Sequence, residues 1–244
     1  MWEALALGFR APTAETVARL ASPEGAGALA AAAAVLDRDA GTDFAPRVTR
    51  LAGSRAADRL AALESSFRRL FGHTARGVVP PYETEYGEDS LFQPMQELAD
   101  LAAFYRTFGL TLNAQAHERL DHVSCQCEFM LVLTRKEAYA REQGDPAMLE
   151  ATQGASRRFL RDHLGRWAPA FGLKLAREDR SGFYEALGDL CSAFVSHECA
   201  RVGVPAGPEF VRLRSPRPAD APMACGPGAE LLQIGCPLDR PGAT

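Results

Sequence analysis

Four acids and two tyrosines fall within eight residues of one stretch. They directly follow two adjacent prolines and are Tyr82, Glu83, Glu85, Tyr86, Glu88 and Asp89. Pro80-Pro81 fixes an extended backbone that holds the next residues in place. Carboxylates pair with guanidinium groups, and tyrosine rings stack on them. The stretch therefore predicts a docking surface for a cationic ligand, with a solvated acidic loop as the alternative.

A second polar pair, Asp121-His122, stands at the start of the most apolar long segment of the chain, Leu120–Ala140. Apolar residues recur there at helical spacing, which predicts a central core helix. Asp121 is expected to be its N-cap, because a carboxylate accepts from the free N–H groups of a first turn. His122 would then lie in that first turn. The pair could act as an acid and a base, but the sequence offers no nucleophile or metal cluster beside it.

Six cysteines are present: Cys125, Cys127, Cys191, Cys199, Cys225 and Cys236. Cys125 and Cys127 are two apart, about 200° around a helix, so they point to different faces. No C-x-x-C pair occurs, and buried free thiols are favoured over a metal site. A metal or redox site remains open for the pair in the tail, Cys225 and Cys236.

Sequence templates for catalysis are missing. There is no phosphate-binding Walker loop, dinucleotide fingerprint, G-x-S-x-G or H-E-x-x-H. The histidines at 73, 117 and 163 stand alone in the sequence. We therefore predict a protein that is not an enzyme and that holds no cofactor.

Helical periodicity dominates the elements that must position these residues, and no alternating strand pattern is found. Predicted helices cover residues 46–71, 91–108, 120–140, 146–164 and 183–202, with a short helix or turn around Trp167, Phe171 and Leu173. The predicted fold is all-α. It consists of one helical domain over residues 1–203 and a Pro-rich C-terminal extension over 204–244, either extended over the surface or disordered.

Composition narrows the class of protein. The 244 residues are 47% hydrophobic and 24% charged, with a net charge of -4, which argues against a nucleic-acid binder. No apolar run approaches the roughly 20 residues that span a bilayer. The N-terminal residues lack the basic region and cleavage site of a signal peptide. These features predict a cytoplasmic protein without stable membrane insertion.

Four stretches, in order along roughly residues 1–200, resemble a known family. They are residues 2–20, Phe67–Phe71 followed by Val79–Glu83, Leu101–Leu110, and Leu120–Val123 followed by Glu128–Met130. Together they resemble the TorD/DmsD/NarJ family, chaperones that mature molybdopterin-containing oxidoreductases of the dimethyl-sulfoxide-reductase type. The chain departs from the family pattern in several places: Leu120 stands where proline is frequent, and Tyr82 stands where tryptophan is frequent. The Cys125-x-Cys127 pair and the long Pro- and Cys-containing tail are not general family features.

The resemblance implies a TorD-like helical bundle without catalytic activity. Such a chaperone binds the twin-arginine signal peptide or the apo form of a catalytic subunit and delays export until the cofactor is inserted. The implied client-binding residues are Tyr82, Glu83, Glu85, Tyr86, Glu88, Tyr105, Asp121 and His122. The acidic stretch would receive the guanidinium groups, and Phe104, Tyr105 and Phe108 would contribute an apolar groove. The stretch is expected to face His122.

Three alternatives stay open. One is a small metal- or redox-binding protein that uses Cys225 and Cys236. The second is a nucleotide-binding accessory protein, because some members of the resembled family have been suggested to bind guanine nucleotides. The third is a structural subunit retained in the mature reductase. The expected partners are an apo catalytic subunit and its signal peptide, with the chain itself a monomer or a homodimer.

Overall fold

A computed structural model describes residues 1–57, 60–72, 76–89, 92–113, 118–180 and 182–215. The described part forms ten α-helices and one short 3-10 helix, Glu83–Glu85. The α-helices are α1 Trp2–Gly8, α2 Ala14–Ala21, α3 Pro23–Ala40, α4 Phe44–Ala57, α5 Leu60–Phe71, α6 Gln93–Thr107, α7 Val123–Gln143, α8 Pro146–Asp162, α9 Leu164–Glu178 and α10 Phe183–Arg201. Pairing between extended segments is limited, in these residues, to three isolated bridges. The predicted all-α fold is confirmed.

Local sequence signals explain where several helices begin and end. Ser22 caps α3 and is followed by proline at the first helical position, and Asp145 caps α8 in the same way. Proline suits this position because its missing N–H would have no partner there. Gly41 and Gly144 end α3 and α7 in the left-handed conformation, which glycine adopts without strain.

The predicted helices agree with the structure except at two places. Residues 46–71 form two described helices, α4 and α5, on either side of residues 58–59, which lie outside the described part. The short helix or turn expected around Trp167 is wrong, because α9 is a full helix of 15 residues with Pro169 inside it. Burial on most sides stabilises α9 despite the proline: nine of its residues, including Trp167 and Phe171, are buried.

Helices α9 and α10 approach each other closely, and two glycines allow this. A Cβ atom on Gly188 would lie 2.5 Å from the carbonyl oxygen of Gly172, and one on Gly172 would lie 2.5 Å from that of Gly188. These carbonyl oxygens are backbone atoms, so the clash with an added Cβ could not be relieved by rotating a side chain. Helices α9 and α10 lie at the centre of the packing, and α1, α4, α7 and α8 pack against one or both of them.

Residues 204–214, the first part of the predicted extension, lie against the helical body without forming a helix. The backbone N–H of Gly207 donates to the carbonyl of Gly165 at 2.8 Å, and Arg214 is 6% exposed. Residues Met1–Arg214 form one compact unit. The predicted boundary at residue 204 stays a prediction. Cys225 and Cys236 lie outside the described residues.

Among the helices of the described residues, none is both long and apolar enough to cross a membrane.

The close contact between α9 and α10 can be tested by comparing two glycine-to-alanine substitutions. Gly188→Ala should lower the free energy of unfolding by about 2 kcal/mol, because the new methyl group overpacks a backbone contact. Gly154→Ala in α8, where a Cβ meets nothing within 4 Å, should raise it by about 0.5 kcal/mol through helix propensity and the unfolded state. Urea denaturation of both variants checks this. Equal effects would contradict the close approach.

Candidate functional site

The acidic stretch lies directly against the beginning of α7. Tyr82 and His122 form an antiparallel bridge. The N–H of Glu83 donates to the carbonyl of Asp121 at 3.0 Å, and that of Val123 donates to the carbonyl of Pro81 at 2.8 Å. The stretch and the Asp121-His122 turn therefore form one unit, which is the juxtaposition that the sequence predicted. The binding role of these residues stays a prediction.

Asp121 ties this unit together. Its carboxylate has no exposed surface and accepts from Thr84 N–H at 3.2 Å and Thr84 Oγ1 at 2.7 Å. Arg119 donates to it through Nε at 3.0 Å and Nη2 at 2.8 Å. The predicted role as N-cap of α7 is wrong. The chain through Asp121 and His122 is paired with residues 81–83, so the helix can begin only at Val123.

The N-cap of α7 is His122. Its backbone is extended, and its Nδ1 accepts from the N–H of Ser124 at 3.1 Å. Because Nδ1 acts as an acceptor, the ring proton of neutral His122 belongs on Nε2, which lies 3.7 Å from Glu118 Oε2. Burial first, and then the positive charges of Arg119 and Arg10, lower the pKa of His122 to about 3. The ring is therefore neutral near pH 7.

Tyr82 already holds a cation from its own chain. The guanidinium of Arg119 lies 4.3 Å from the centre of the Tyr82 ring. The Tyr82 hydroxyl donates to Glu118 Oε1 at 3.3 Å, and its pKa is raised to about 12 by burial and then by Glu118. The Tyr82 and His122 rings form an edge-to-face contact, with ring centres 5.3 Å apart. The stacking that the sequence assigned to a ligand is here made by Arg119.

Glu83 and Tyr86 point into the protein. Glu83 is 4% exposed; its carboxylate accepts from Gln126 Nε2 at 2.5 Å and lies 3.1 Å from His163 Nδ1. Burial raises the pKa of Glu83. The buried Tyr86 hydroxyl donates to the carbonyl of Pro80 at 2.9 Å. Both side chains are buried and engaged by internal hydrogen bonds, so the expectation of an exposed acidic surface is wrong for these two.

Glu85 and Glu88 lie on the side that faces residues 212–214. Glu85 pairs with Arg76 at 2.9 Å, and Glu88 is exposed. The buried guanidinium of Arg214 donates to the carbonyl oxygens of Thr84 at 2.8 Å and Glu88 at 3.0 Å. It also pairs with both carboxylate oxygens of Glu97, at 3.0 and 3.1 Å. Arg214 thus fixes this half of the stretch to the body.

A groove of about 570 Å³ opens beside the Asp121-His122 turn and runs along α7. Its apolar walls are formed by Tyr105, Leu110, Leu112, Phe129 and Val132. Tyr105 is held in place because its hydroxyl donates to the carbonyl of Leu120 at 3.0 Å. Phe104 and Phe108, which were expected to line the groove with Tyr105, pack against Phe129 and are not part of its wall.

Two carboxylates, Glu118 and Glu128, reach this groove. The Glu118 side chain is 30% exposed, and burial raises its pKa, opposed by hydrogen bonds from Arg119 N–H and Tyr82. Within the described residues, its one ion-pair contact is with His122, which is neutral. Glu128 is 52% exposed and is paired with Arg10 at 2.6 Å. The groove therefore combines negative charge with an apolar, aromatic wall.

Metal and thiol chemistry find little support in this region. The described residues contain no cluster of three or more His, Cys, Asp or Glu side chains that could hold a metal ion. Cys125 lines the groove as a free thiol, and burial raises its pKa to about 12. It is therefore protonated and a weak nucleophile.

Sequence reasoning missed Glu118, Glu128 and Arg10 as residues of one groove. Glu118 lies four residues before His122, in the link between α6 and α7, where no helical spacing singles it out. Glu128 belongs to a stretch that carried the family resemblance, but nothing in its spacing separated it from an ordinary exposed acid. Arg10 is 118 residues away in sequence, so only the fold brings it to Glu128.

We expect Asp121→Asn to lower the free energy of unfolding by about 3 kcal/mol, because an amide places donors against Thr84 and Arg119 in a buried site. Asparagine caps helices as well as aspartate does, so an N-cap role alone would predict almost no change. The control is Asp39→Asn, whose carboxylate is 60% exposed and paired with Arg38; it should cost less than about 0.5 kcal/mol. Denaturant titration measures both.

His122 makes a prediction about pH. Between pH 6.5 and 3 the unfolded chain binds a proton at this histidine and the folded chain does not, because its folded pKa is about 3. The stability contributed by neutral His122 is thus present above pH 6.5 and is lost as the pH falls towards 3. Relative to His122→Asn, the wild type should lose about 2 kcal/mol between pH 7 and pH 5. Parallel pH curves for the two proteins would rule out a buried neutral imidazole.

Comparison with known proteins places this geometry in a family. Residues 23–172 match the family model described as nitrate reductase delta subunit. The perchlorate reductase assembly chaperone protein of Dechloromonas aromatica is 39% identical over 99 residues, which are 40% of this chain and 43% of that protein. The chaperone protein TorD of Photobacterium profundum is 30% identical over 141 residues, 57% of this chain and 62% of that protein.

The chlorate reductase assembly chaperone protein of Ideonella dechloratans is similar too, at 31% identity over 119 residues, 49% of this chain and 56% of that protein. In each case the match spans less than two thirds of the relative's length. The family model covers more than half of the chain, and the resemblance read from the sequence is confirmed. The chain belongs to the nitrate reductase delta subunit family, which includes the TorD/NarJ type of protein.

Proposed function

We propose that this chain is a cytoplasmic, non-catalytic chaperone for the catalytic subunit of a molybdopterin oxidoreductase. It binds the apo subunit, with the twin-arginine signal peptide of that subunit in the groove beside the Asp121-His122 turn, and it assists cofactor insertion before assembly or export. The names of the relatives, assembly chaperones of perchlorate and chlorate reductase and the chaperone TorD, support the general role. The groove supports the choice of ligand.

The observation that carries the proposal is the union of negative charge and apolar wall in one groove of about 570 Å³. A twin-arginine peptide presents two guanidinium groups followed by an apolar run. Guanidinium groups bind carboxylates through charge-assisted hydrogen bonds, and the apolar run gains by leaving water for walls such as Phe129 and Val132. Glu118 suits the first task because no internal arginine or lysine forms an ion pair with it among the described residues.

The residues implied by the resemblance divide into two roles under this proposal. Tyr105 contacts the ligand from the groove wall. Asp121, His122 and Tyr82 position Glu118 and the beginning of α7, because they are occupied by Arg119, Ser124 and one another. The remaining four, Glu83, Glu85, Tyr86 and Glu88, shape the stretch behind the turn. Glu88 is exposed but is not among the residues that line the groove, so the signal peptide is not expected to contact it.

The rival functions make different demands. A protein that binds a metal or a redox group through Cys225 and Cys236 would carry stoichiometric metal after anaerobic purification. A nucleotide-binding accessory protein would need donors that cradle phosphate, whereas the groove beside α7 carries two carboxylates, and its Arg10 is already paired with Glu128. A retained structural subunit would copurify with the mature enzyme. A chaperone is found with the apo subunit and is absent from the complete enzyme.

We expect calorimetric titration with a signal peptide, containing two adjacent arginines and an apolar run, to show saturable binding that is lost when both arginines become alanine. Glu118→Gln should weaken this binding about tenfold, because a charge-assisted hydrogen bond is replaced by a neutral one. Glu88→Gln removes an equal charge from the acidic stretch and should leave the affinity unchanged. If the reverse pattern is found, the ligand binds at the stretch and not in the groove.

A further inference from the structure

We propose that Glu128 is the second arginine-binding carboxylate of the groove, and that Arg10 is an internal cation which a ligand arginine must displace to reach it. The inference rests on the proposed function, since it specifies how the same groove reads a pair of arginines. It concerns three residues that line one cavity: Arg10, Glu118 and Glu128.

Arg10 is delivered to the groove by a fixed piece of backbone. It lies in the link between α1 and α2, directly after Phe9, which has no exposed surface. From there its Nη2 donates to Glu128 Oε2 at 2.6 Å. Arg10 lines the same groove as Glu118 and Ser124, which flank the Asp121-His122 turn in sequence. It therefore sits where a ligand guanidinium would enter.

The two carboxylates of the groove differ in what they already hold. Glu118 has only neutral His122 as an ion-pair contact among the described residues, whereas Glu128 has Arg10. A first ligand arginine thus gains a new charge-assisted bond at Glu118. A second ligand arginine can bind Glu128 only by replacing the guanidinium of Arg10. This replacement gains little binding free energy, because one ion pair is lost for each one formed.

Exchange at Glu128 has a consequence for selectivity. A group that cannot replace the bond of Arg10 would have to leave either Arg10 or Glu128 without its partner. The side chains of Arg10 and Glu128 are 40% and 52% exposed, and ion pairs this exposed are weak. Arg10 can therefore be displaced by an arginine, whereas an apolar side chain brought to the same place would offer Glu128 no replacement for the bond of Arg10.

The test is a gain of binding, which damage to the fold does not produce. In calorimetric titrations with a peptide of two adjacent arginines and an apolar run, Arg10→Gln should bind about fivefold more tightly than the wild type, because Glu128 is released from its internal partner. The double variant Arg10→Gln/Glu128→Gln should lose that gain. Thermal melting of each variant shows that the fold is retained.

A matched control removes the same charge elsewhere. Arg135 lies on α7, as Glu128 does. Its side chain is 67% exposed and is paired with Glu3, and neither residue of this pair lines the groove. Arg135→Gln should leave the peptide affinity unchanged; if it matches the gain of Arg10→Gln, overall charge is responsible and the inference fails.

The outcomes separate this inference from the proposed function. If the wild type binds the peptide and Arg10→Gln binds no more tightly, the role of Arg10 is overturned and the chaperone role stands. If only Arg10→Gln binds, the internal cation is supported as a stronger block than expected. Should neither protein bind, both proposals fall together.

Discussion

The carboxylate of Asp121 lies beneath the surface with four donated hydrogen bonds, two from Thr84 and two from Arg119. A buried charge is tolerated only when it is paired and hydrogen-bonded in this way. Because those donors come from the acidic stretch and from the link before α7, the carboxylate joins two segments that are 37 residues apart. The position of Glu118, of the Tyr82 ring and of the beginning of α7 all depend on this joint.

The acids of the region fall into two groups: buried acids that hold the backbone in place, and exposed acids that can interact with a ligand. Glu83 is stabilised inside by Gln126 and lies against His163, and Glu97 is paired with the buried guanidinium of Arg214. Such pairs repay part of the cost of leaving water but gain little beyond it. Their value here is geometric: they fix the backbone behind the turn. Glu118 keeps exposed surface and lacks an arginine or lysine ion pair in the described region, so its charge can act on a ligand.

The helices could be predicted because their signals are local. The apolar spacing, the capping residues Ser22 and Asp145, and glycines such as Gly144 act within a few residues. The candidate site could be predicted only in part. The proximity of Tyr82 to His122 followed from the ordered stretches of the family resemblance. Which acids point inwards did not, because it is decided by distant partners such as His163 and Arg214. The full length of α9 was missed since its stability comes from burial and not from propensity.

Arginines of the chain itself occupy several of the acidic and aromatic side chains that the sequence assigned to a ligand. Of 27 basic residues only two are lysines, Lys136 and Lys174, so the chain carries many guanidinium groups of its own. Arg119 stacks on the Tyr82 ring and donates to Asp121, and Arg214 donates to Glu97. A groove for arginine in such a chain must keep at least one carboxylate beyond the reach of internal guanidinium groups. Among the described residues, Glu118 forms no ion pair with an arginine, because the Asp121 joint engages Arg119, the nearest arginine in sequence, with a neighbouring carboxylate.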